Sequence, residues 1–214
     1  MATRDATGLP PALAKAPLRT VRARDVHIYT QPRVQLLRLE RGELLHRMAD
    51  GYFAVVPQDR IGTKWKPTLE GAAAGIAATD FGAGNYVLMG LTAARVHGVL
   101  PRAIAYAVVA APRRRADLHL SDRTATIRFL PREVDQIEAE RLTTDMGPCL
   151  VTTPERTVLD LAHLPNLGAM ESEAWAAIDQ LLPRCNEAVF AEIAEKHRLG
   201  AALRRIRLHQ SRLA

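Results

Sequence analysis

Two apolar runs flank the dipeptide Asp50-Gly51, and this arrangement constrains the fold of the chain more than any other feature. An Asp-Gly pair suits a tight turn, so the two runs predict antiparallel strands joined as a hairpin. Pro57 has no amide hydrogen to donate to a ladder, and it therefore ends the second strand.

A helix is predicted directly before this hairpin, with Thr30 as its cap and Gly42 at its end. Two shorter helices are predicted upstream, over residues 9–18 and 21–27, and Thr20 is placed to cap the second. Three helices followed by a two-stranded wing have the order of a winged helix-turn-helix.

The net charge of +6 lies entirely in residues 1–66, where 12 basic side chains face 6 acidic ones. Residues 67–214 carry 17 of each sign. Because a small basic module suits a phosphate backbone, we predict a winged helix-turn-helix DNA-binding domain over residues 1–60. Residues 61–67 are predicted to be a polar linker.

The third predicted helix has a polar face suited to the edges of bases. Gln31, Gln35 and Arg38 are spaced i, i+4 and i+7, so they share one side of the helix. Glutamine pairs with adenine and arginine with guanine in the major groove, while other arginines hold phosphates. The alternative is a solvated helix with ordinary surface arginines. The predicted DNA-binding residues are Arg22, Arg24, Gln31, Arg33, Gln35, Arg38 and Arg47.

Residues 68–214 are predicted to form a mixed α/β domain, which makes the chain an α+β protein. An alanine-rich helix begins at Thr68, and a second helix begins with Thr153 as cap. Residues 168–214 are predicted to be a helical extension, with helices over 168–182, 186–198 and 200–213. Strands are predicted over residues 104–110, 118–120, 124–130, 141–145 and 150–152.

The composition argues against several classes of protein. Cys149 and Cys185 form no CxxC motif and the histidines are dispersed, so we predict no metal site and no cofactor. Glu192 and Lys196 match ordinary i, i+4 ion pairing, and with no nucleophile motif we predict no enzyme. The chain lacks an apolar leader and an apolar run of ~20 residues, which predicts a cytoplasmic protein with no membrane contact.

Arg113, Arg114 and Arg115 follow an apolar strand, and two interpretations stay open. They form either a basic patch for a partner or a charged loop that protects a strand edge.

Two sequence blocks carry a resemblance to a known family. The first runs from the predicted helix-turn-helix through Leu39-Glu-Arg-Gly-Glu-Leu to Asp50-Gly-Tyr-Phe-Ala-Val-Val-Pro57. The second contains Ala93-Ala-Arg-Val-His-Gly98 and Pro154-Glu-Arg-Thr-Val-Leu-Asp160, in which we expect Asp160 to anchor a buried Arg156. Over residues 10–165 the chain resembles the AbiEi-type antitoxin family of bacterial toxin–antitoxin systems.

The resemblance implies a function for each half of the chain. The N-terminal domain would bind inverted repeats in promoter DNA and repress its own operon. The C-terminal domain would neutralise a cognate nucleotidyltransferase-fold toxin, by direct contact or indirectly. The alternative is a transcriptional regulator with a ligand-sensing C-terminal domain and no toxin partner.

Overall fold

A three-stranded antiparallel sheet and a ten-residue helix organise the first part of the computed structural model, which describes residues 8–167 and 170–213. The strands lie in the order β1-β3-β2, and the hairpin predicted at Asp50-Gly51 is confirmed. Gly51 takes a φ of +77°, which favours glycine at this turn. The elements are α1 (Pro11–Ala14), β1 (Thr20–Arg22), α2 (Pro32–Arg41), β2 (Leu45–Ala49) and β3 (Tyr52–Val55).

The predicted helix over residues 21–27 is wrong. Thr20 and Val21 pair with Ala54 and Phe53 of β3, and a 3-10 turn over Ala23–Asp25 follows. Both paired residues are β-branched, and their pairing covers an edge of β3 that a helix would leave open.

The other two predicted N-terminal helices are present, but their ends differ from the predicted ones. The first covers only Pro11–Ala14 instead of residues 9–18, because a 3-10 turn starts at Pro17. The cap of α2 is Gln31 and not Thr30. The chain leaves α2 through Glu43, whose φ is +57°, whereas Gly42 has a φ of −85°.

A six-stranded mixed sheet forms the centre of the second part. Its strands lie in the order β6-β7-β5-β4-β9-β8, with parallel pairs β5/β7 and β4/β9 and antiparallel pairs elsewhere. All the strands predicted between residues 104 and 152 are present, with shifted ends, and β4 was not predicted. The strands are β4 (Val87–Leu88), β5 (Tyr106–Ala111), β6 (Leu118–His119), β7 (Thr126–Pro131), β8 (Ala139–Thr144) and β9 (Gly147–Thr152).

The helices predicted to begin at Thr68 and Thr153 are confirmed. Thr68 and Thr153 cap their helices by accepting hydrogen bonds from the amides of Gly71 and Arg156. The three C-terminal helices are confirmed, although residues 168 and 169 of the first prediction lie outside the described residues. The helices are α3 (Leu69–Phe81), α4 (Gly90–Val96), α5 (Pro154–His163), α6 (Glu171–Leu181), α7 (Glu187–Lys196) and α8 (Gly200–Leu213).

Helix α3 lies between the two sheets and is buried along residues 69–78. Its glycines allow this close packing, since a Cβ at Gly75 would overlap the hydroxyl of Thr20. A Cβ at Gly71 would lie 2.7 Å from Met146 Cγ and would overlap the Asp145 carboxylate. The small side chains that weaken α3 as an isolated helix therefore let it contact both parts of the protein.

The small sheet contributes to two hydrophobic cores. Val21, Phe53 and Val55 pack beneath α2. Met48 of β2 and Tyr52 of β3 belong to the large core that also contains α3 and the six-stranded sheet. The predicted N-terminal domain thus shares a buried face with the rest of the chain.

Within the described residues, no helix is long and apolar enough to cross a membrane.

Candidate nucleic-acid interface

The outer face of α2 is basic and lacks acidic side chains. Leu36 is fully buried, and the opposite side of the helix presents Gln31, Val34, Arg38 and Arg41 to solvent. In the part of the chain that the structure describes, neither Arg38 nor Arg41 forms an ion pair. Cations without carboxylate partners remain available to an anionic ligand.

The residues of the predicted polar face extend further around α2 than their i, i+4 and i+7 spacing indicates. Gln31 and Arg38 lie near its exposed centre, whereas Gln35 is half-buried toward one edge. Arg33 is exposed on the other flank. The prediction missed Arg41, although its position three residues after Arg38 placed it on the same face.

Two arginines near β1 have different environments. The side chain of Arg24 is 72% exposed, and its nearest carboxylate oxygen, on Asp25, is 3.9 Å away. Arg22 is only 13% exposed and donates to Asp25 at 2.7 Å and to Asp80 at 2.5 Å. Arg24 is therefore free to meet a phosphate, while Arg22 is part of the internal packing.

Arg47 lies on β2, beside the hairpin turn, and is partly exposed. Its Nη2 donates to Asp50 Oδ1 at 3.1 Å, a surface pair that adds little stability. The hairpin is therefore able to offer one cation to a backbone phosphate next to α2.

The segment between β3 and α3, most of which was predicted to be a polar linker over residues 61–67, contributes further cations. Arg60, Lys64 and Lys66 are exposed, and the first two line a cavity of about 130 Å³ beside Glu40 and Glu43. The segment thus lies against the end of α2. The sequence signal was the pair of lysines around Trp65.

The three consecutive arginines do not form one patch. Arg115 points inward, with its Nε 2.5 Å from Asp80 Oδ2 and its guanidinium 4.2 Å from the centre of the Phe129 ring. Arg113 donates to the Asp80 carbonyl at 3.2 Å, and only Arg114 is exposed without such a contact. The loop thus holds the end of α3 as well as presenting charge.

Asp80 is the centre of the junction between the two parts. Its carboxylate accepts from Arg22 and from the Tyr52 hydroxyl at 2.6 Å, and it pairs with Arg115 on the opposite side. Burial, followed by the hydrogen bond to Asp80, raises the pKa of Tyr52, which keeps its proton on the phenol. Residues from β1, β3, α3 and the loop after β5 thus meet at one carboxylate.

A second junction joins β2 to the turn before β7. His46 Nε2 lies 2.7 Å from Asp122 Oδ2, and Arg123 donates to the same carboxylate. Burial alone would raise the pKa of Asp122, but the hydrogen bonds from His46 and Arg123 outweigh it and lower the pKa to about 2. The hairpin is therefore fixed to the second part through the hydrogen bond between His46 and Asp122.

The predicted contact between Arg156 and Asp160 is confirmed. Arg156 Nε donates to Asp160 Oδ1 at 3.0 Å, and Arg156 Nη1 donates to Glu138. Lys196 and His197 also bind Glu138, which connects α5 to α7. Within the described ranges, no group of three histidine, cysteine or acidic residues is arranged to hold a metal ion.

Comparisons with known proteins agree with this architecture. One solved structure, the RV2827C protein from Mycobacterium tuberculosis, aligns with a TM-score of 0.57 at 15% identity. The alignment covers 96% of this chain and 79% of that one, and at this identity it shows a shared fold. None of the curated proteins compared with the chain matches it.

The family model for the AbiEi antitoxin C-terminal domain matches residues 86–209. The match covers more than half of the chain and includes α6, α7 and most of α8, which the resemblance in the sequence did not reach. The supposed helical extension is therefore part of the family's domain. The chain belongs to the AbiEi antitoxin family.

Proposed function

We propose that this antitoxin neutralises a nucleotidyltransferase-type toxin and represses its own operon by binding promoter DNA. The observation that carries the DNA half of the proposal is the outer face of α2, where Gln31, Arg38 and Arg41 are exposed and, within the described residues, neither arginine forms an ion pair. A helix of ten residues that is buried on one side and followed by a hairpin has the shape of a recognition helix with its wing.

On this proposal, the cations around α2 have two roles. Arg38 and Gln31 face base edges in the major groove. Arg24, Arg47 and Arg41 hold the phosphates on either side, and Lys64 and Lys66 extend the basic surface past the end of α2. Inverted repeats would be read by two copies of the chain, each placing one α2 in the groove.

The DNA proposal is tested with the full-length chain because the small sheet shares a core with α3. Binding to a duplex from the region upstream of the gene is measured at several salt concentrations. Arg38→Ala should weaken binding by ~1–3 kcal/mol and relax base preference at one position. Arg114→Ala, which removes an exposed arginine from the loop after β5, is the matched control. Unchanged affinity and unchanged preference for Arg38→Ala would reject α2 as the recognition helix.

The toxin half of the proposal rests on membership of the family. Coexpression of the full-length chain with the nucleotidyltransferase-type gene next to its own should restore growth. The same chain carrying Arg38→Ala should also restore growth, because α2 does not belong to the matched domain. Continued growth arrest with a folded, soluble antitoxin would contradict the proposal.

A second candidate function is a regulator that senses a small ligand and has no toxin partner. It is favoured by an open cavity of about 810 Å³ in the C-terminal domain, lined in part by Asn85, Arg132, Arg156 and His197. This candidate requires DNA binding without any effect on toxin, so the coexpression experiment separates the two functions.

A further inference from the structure

Residues 67–214 have no net charge, but their basic and acidic side chains are distributed unevenly along the chain. Residues 200–214 contain four arginines and no acidic side chain, whereas residues 67–199 carry a net charge of −4. The last helix, α8, is therefore a basic element on an acidic domain. This charge is separate from the basic face of α2 and is not explained by DNA binding.

Helix α8 packs mainly on α5 and α7 and turns one face to solvent. Ala202 and Ile206 are buried, while Arg204, Leu208 and Arg212 follow one another at i, i+4 and i+8 on the exposed side. Leu208 is 60% exposed, more than the other large apolar side chains in the described ranges. The packing of the fold does not explain why an exposed leucine lies between two arginines on this face of α8.

A groove of about 460 Å³ runs between α6 and α8 beside these residues. It is lined by Glu171, Trp175, Arg205, Leu208, His209 and Arg212. The Trp175 and His209 rings stack with centroids 4.6 Å apart, and His209 is also held by Asp179 at 2.8 Å. Arg205 donates to the Ala162 carbonyl at 3.0 Å, so it belongs to the fold. In the described chain, Arg212 forms no such contact.

We propose that the groove between α6 and α8 is the surface that binds the toxin, through a segment of the toxin in which an apolar side chain lies beside a carboxylate. This rests on the proposed function. The apolar side chain would pack on Leu208 and the Trp175–His209 pair, and an adjacent carboxylate would pair with Arg212. Aromatic and arginine side chains around an apolar anchor are the usual centre of a protein interface.

The lining of the groove favours a protein over a nucleic acid. Glu171 lines it and Asp179 lies at its edge, and both carboxylates would repel a phosphate backbone. Leu208 offers no hydrogen bond to a base or a phosphate. A polypeptide fits both the carboxylates and the leucine of the groove, because it can present a lysine to Glu171 and an apolar side chain to Leu208.

The experiment measures binding of purified full-length antitoxin to the purified toxin from the neighbouring gene by calorimetry. Leu208→Asp and Arg212→Glu should each reduce the affinity at least tenfold and should impair the restoration of growth. Val189→Asp is the matched control, since Val189 is an exposed apolar residue on α7, outside the groove. Circular dichroism and an unchanged unfolding midpoint show that each variant is folded.

The outcomes separate this proposal from the function on which it rests. Failure of the wild-type chain to restore growth would reject the antitoxin function itself. Restored growth without any binding to the toxin, or full affinity in both groove variants, would overturn the docking site alone. The docking site is also overturned if Arg114→Glu, in the loop after β5, abolishes toxin binding while the groove variants retain it. The same holds if the groove variants lose affinity for RNA and keep their affinity for the toxin.

Discussion

Gly75 of α3 passes so close to Thr20 of β1 that a methyl group on residue 75 would overlap the threonine hydroxyl. Thr20 cannot move aside easily, since it is buried and its hydroxyl donates to the Leu18 carbonyl at 2.9 Å. This contact sets the distance between the small sheet and the helix on which it rests.

Gly75→Ala should therefore destabilise the protein, by ~1–3 kcal/mol as expected for overpacking. Alanine favours a helix by ~1 kcal/mol over glycine, and the clash must outweigh this gain. Urea denaturation followed by circular dichroism measures the change. Gly84→Ala is the control, because a Cβ there meets no atom within 4 Å. Equal stability of the two variants would show that the sheet can shift away from α3.

Asp80→Ala should be among the most destabilising single changes at the junction. It would leave the guanidinium groups of Arg22 and Arg115 without their shared carboxylate in a buried position. Breaking a buried pair in this way costs ~3–5 kcal/mol. The free energy of unfolding is compared with that of Asp59→Ala, which removes an exposed carboxylate and should cost less than ~1 kcal/mol. A small loss at Asp80 would mean that Arg22 and Arg115 turn to solvent.

Arg22 and Arg24 should separate stability from DNA binding although they are two residues apart. Arg24→Ala should leave the unfolding free energy unchanged and reduce the salt dependence of DNA binding by about one unit, as for one lost phosphate contact. Arg22→Ala should lower stability, because its partners Asp25 and Asp80 lose their donor. Thermal unfolding and salt-dependent DNA titrations test both variants. If Arg22→Ala reduced the salt dependence of DNA binding and Arg24→Ala lowered stability instead, Arg22 would be the residue that contacts DNA.

Acid should weaken the link between the hairpin and the second part of the protein. Because the folded protein lowers the pKa of Asp122 to about 2, this carboxylate stabilises the fold fully above pH ~4. The stabilisation is lost as the pH falls from ~4 to ~2, where Asp122 becomes protonated. Asp122→Asn should therefore reduce the steepness of stability against pH in this window, whereas Asp59→Asn should not. Unfolding at a series of pH values measures it.

Local sequence signals predicted the helices and turns correctly where residues close together in the chain determine the structure. The Asp50-Gly51 turn and the Thr153 cap with Pro154 each act over a few residues, and both are present. The helix over residues 21–27 failed because the strand at Thr20 depends on β3, more than thirty residues later. A capping threonine and a strand threonine have the same local context, and only the partner strand distinguishes them.

In the candidate site, the sequence predicted the positions of the exposed side chains and did not predict those of the buried ones. Gln31 and Arg38 follow helical spacing, so their shared face could be derived from the sequence. The inward position of Arg22 depends on Asp80, 58 residues away, and that of Arg115 depends on Phe129. Arginine is usually a surface residue, so no local pattern indicates that its charge will be neutralised inside the protein.

The strands that carry Met48, Phe53 and Val55 belong to two cores at once, and this limits how such a protein can be recombined. A segment carrying β1, α2 and the hairpin that is taken from a relative would have to match α3 and the Asp80 cluster of this chain. The two sheets therefore form one packed unit, and on the proposed function a new operator preference would be reached by changing the outer face of α2 while that unit stays intact.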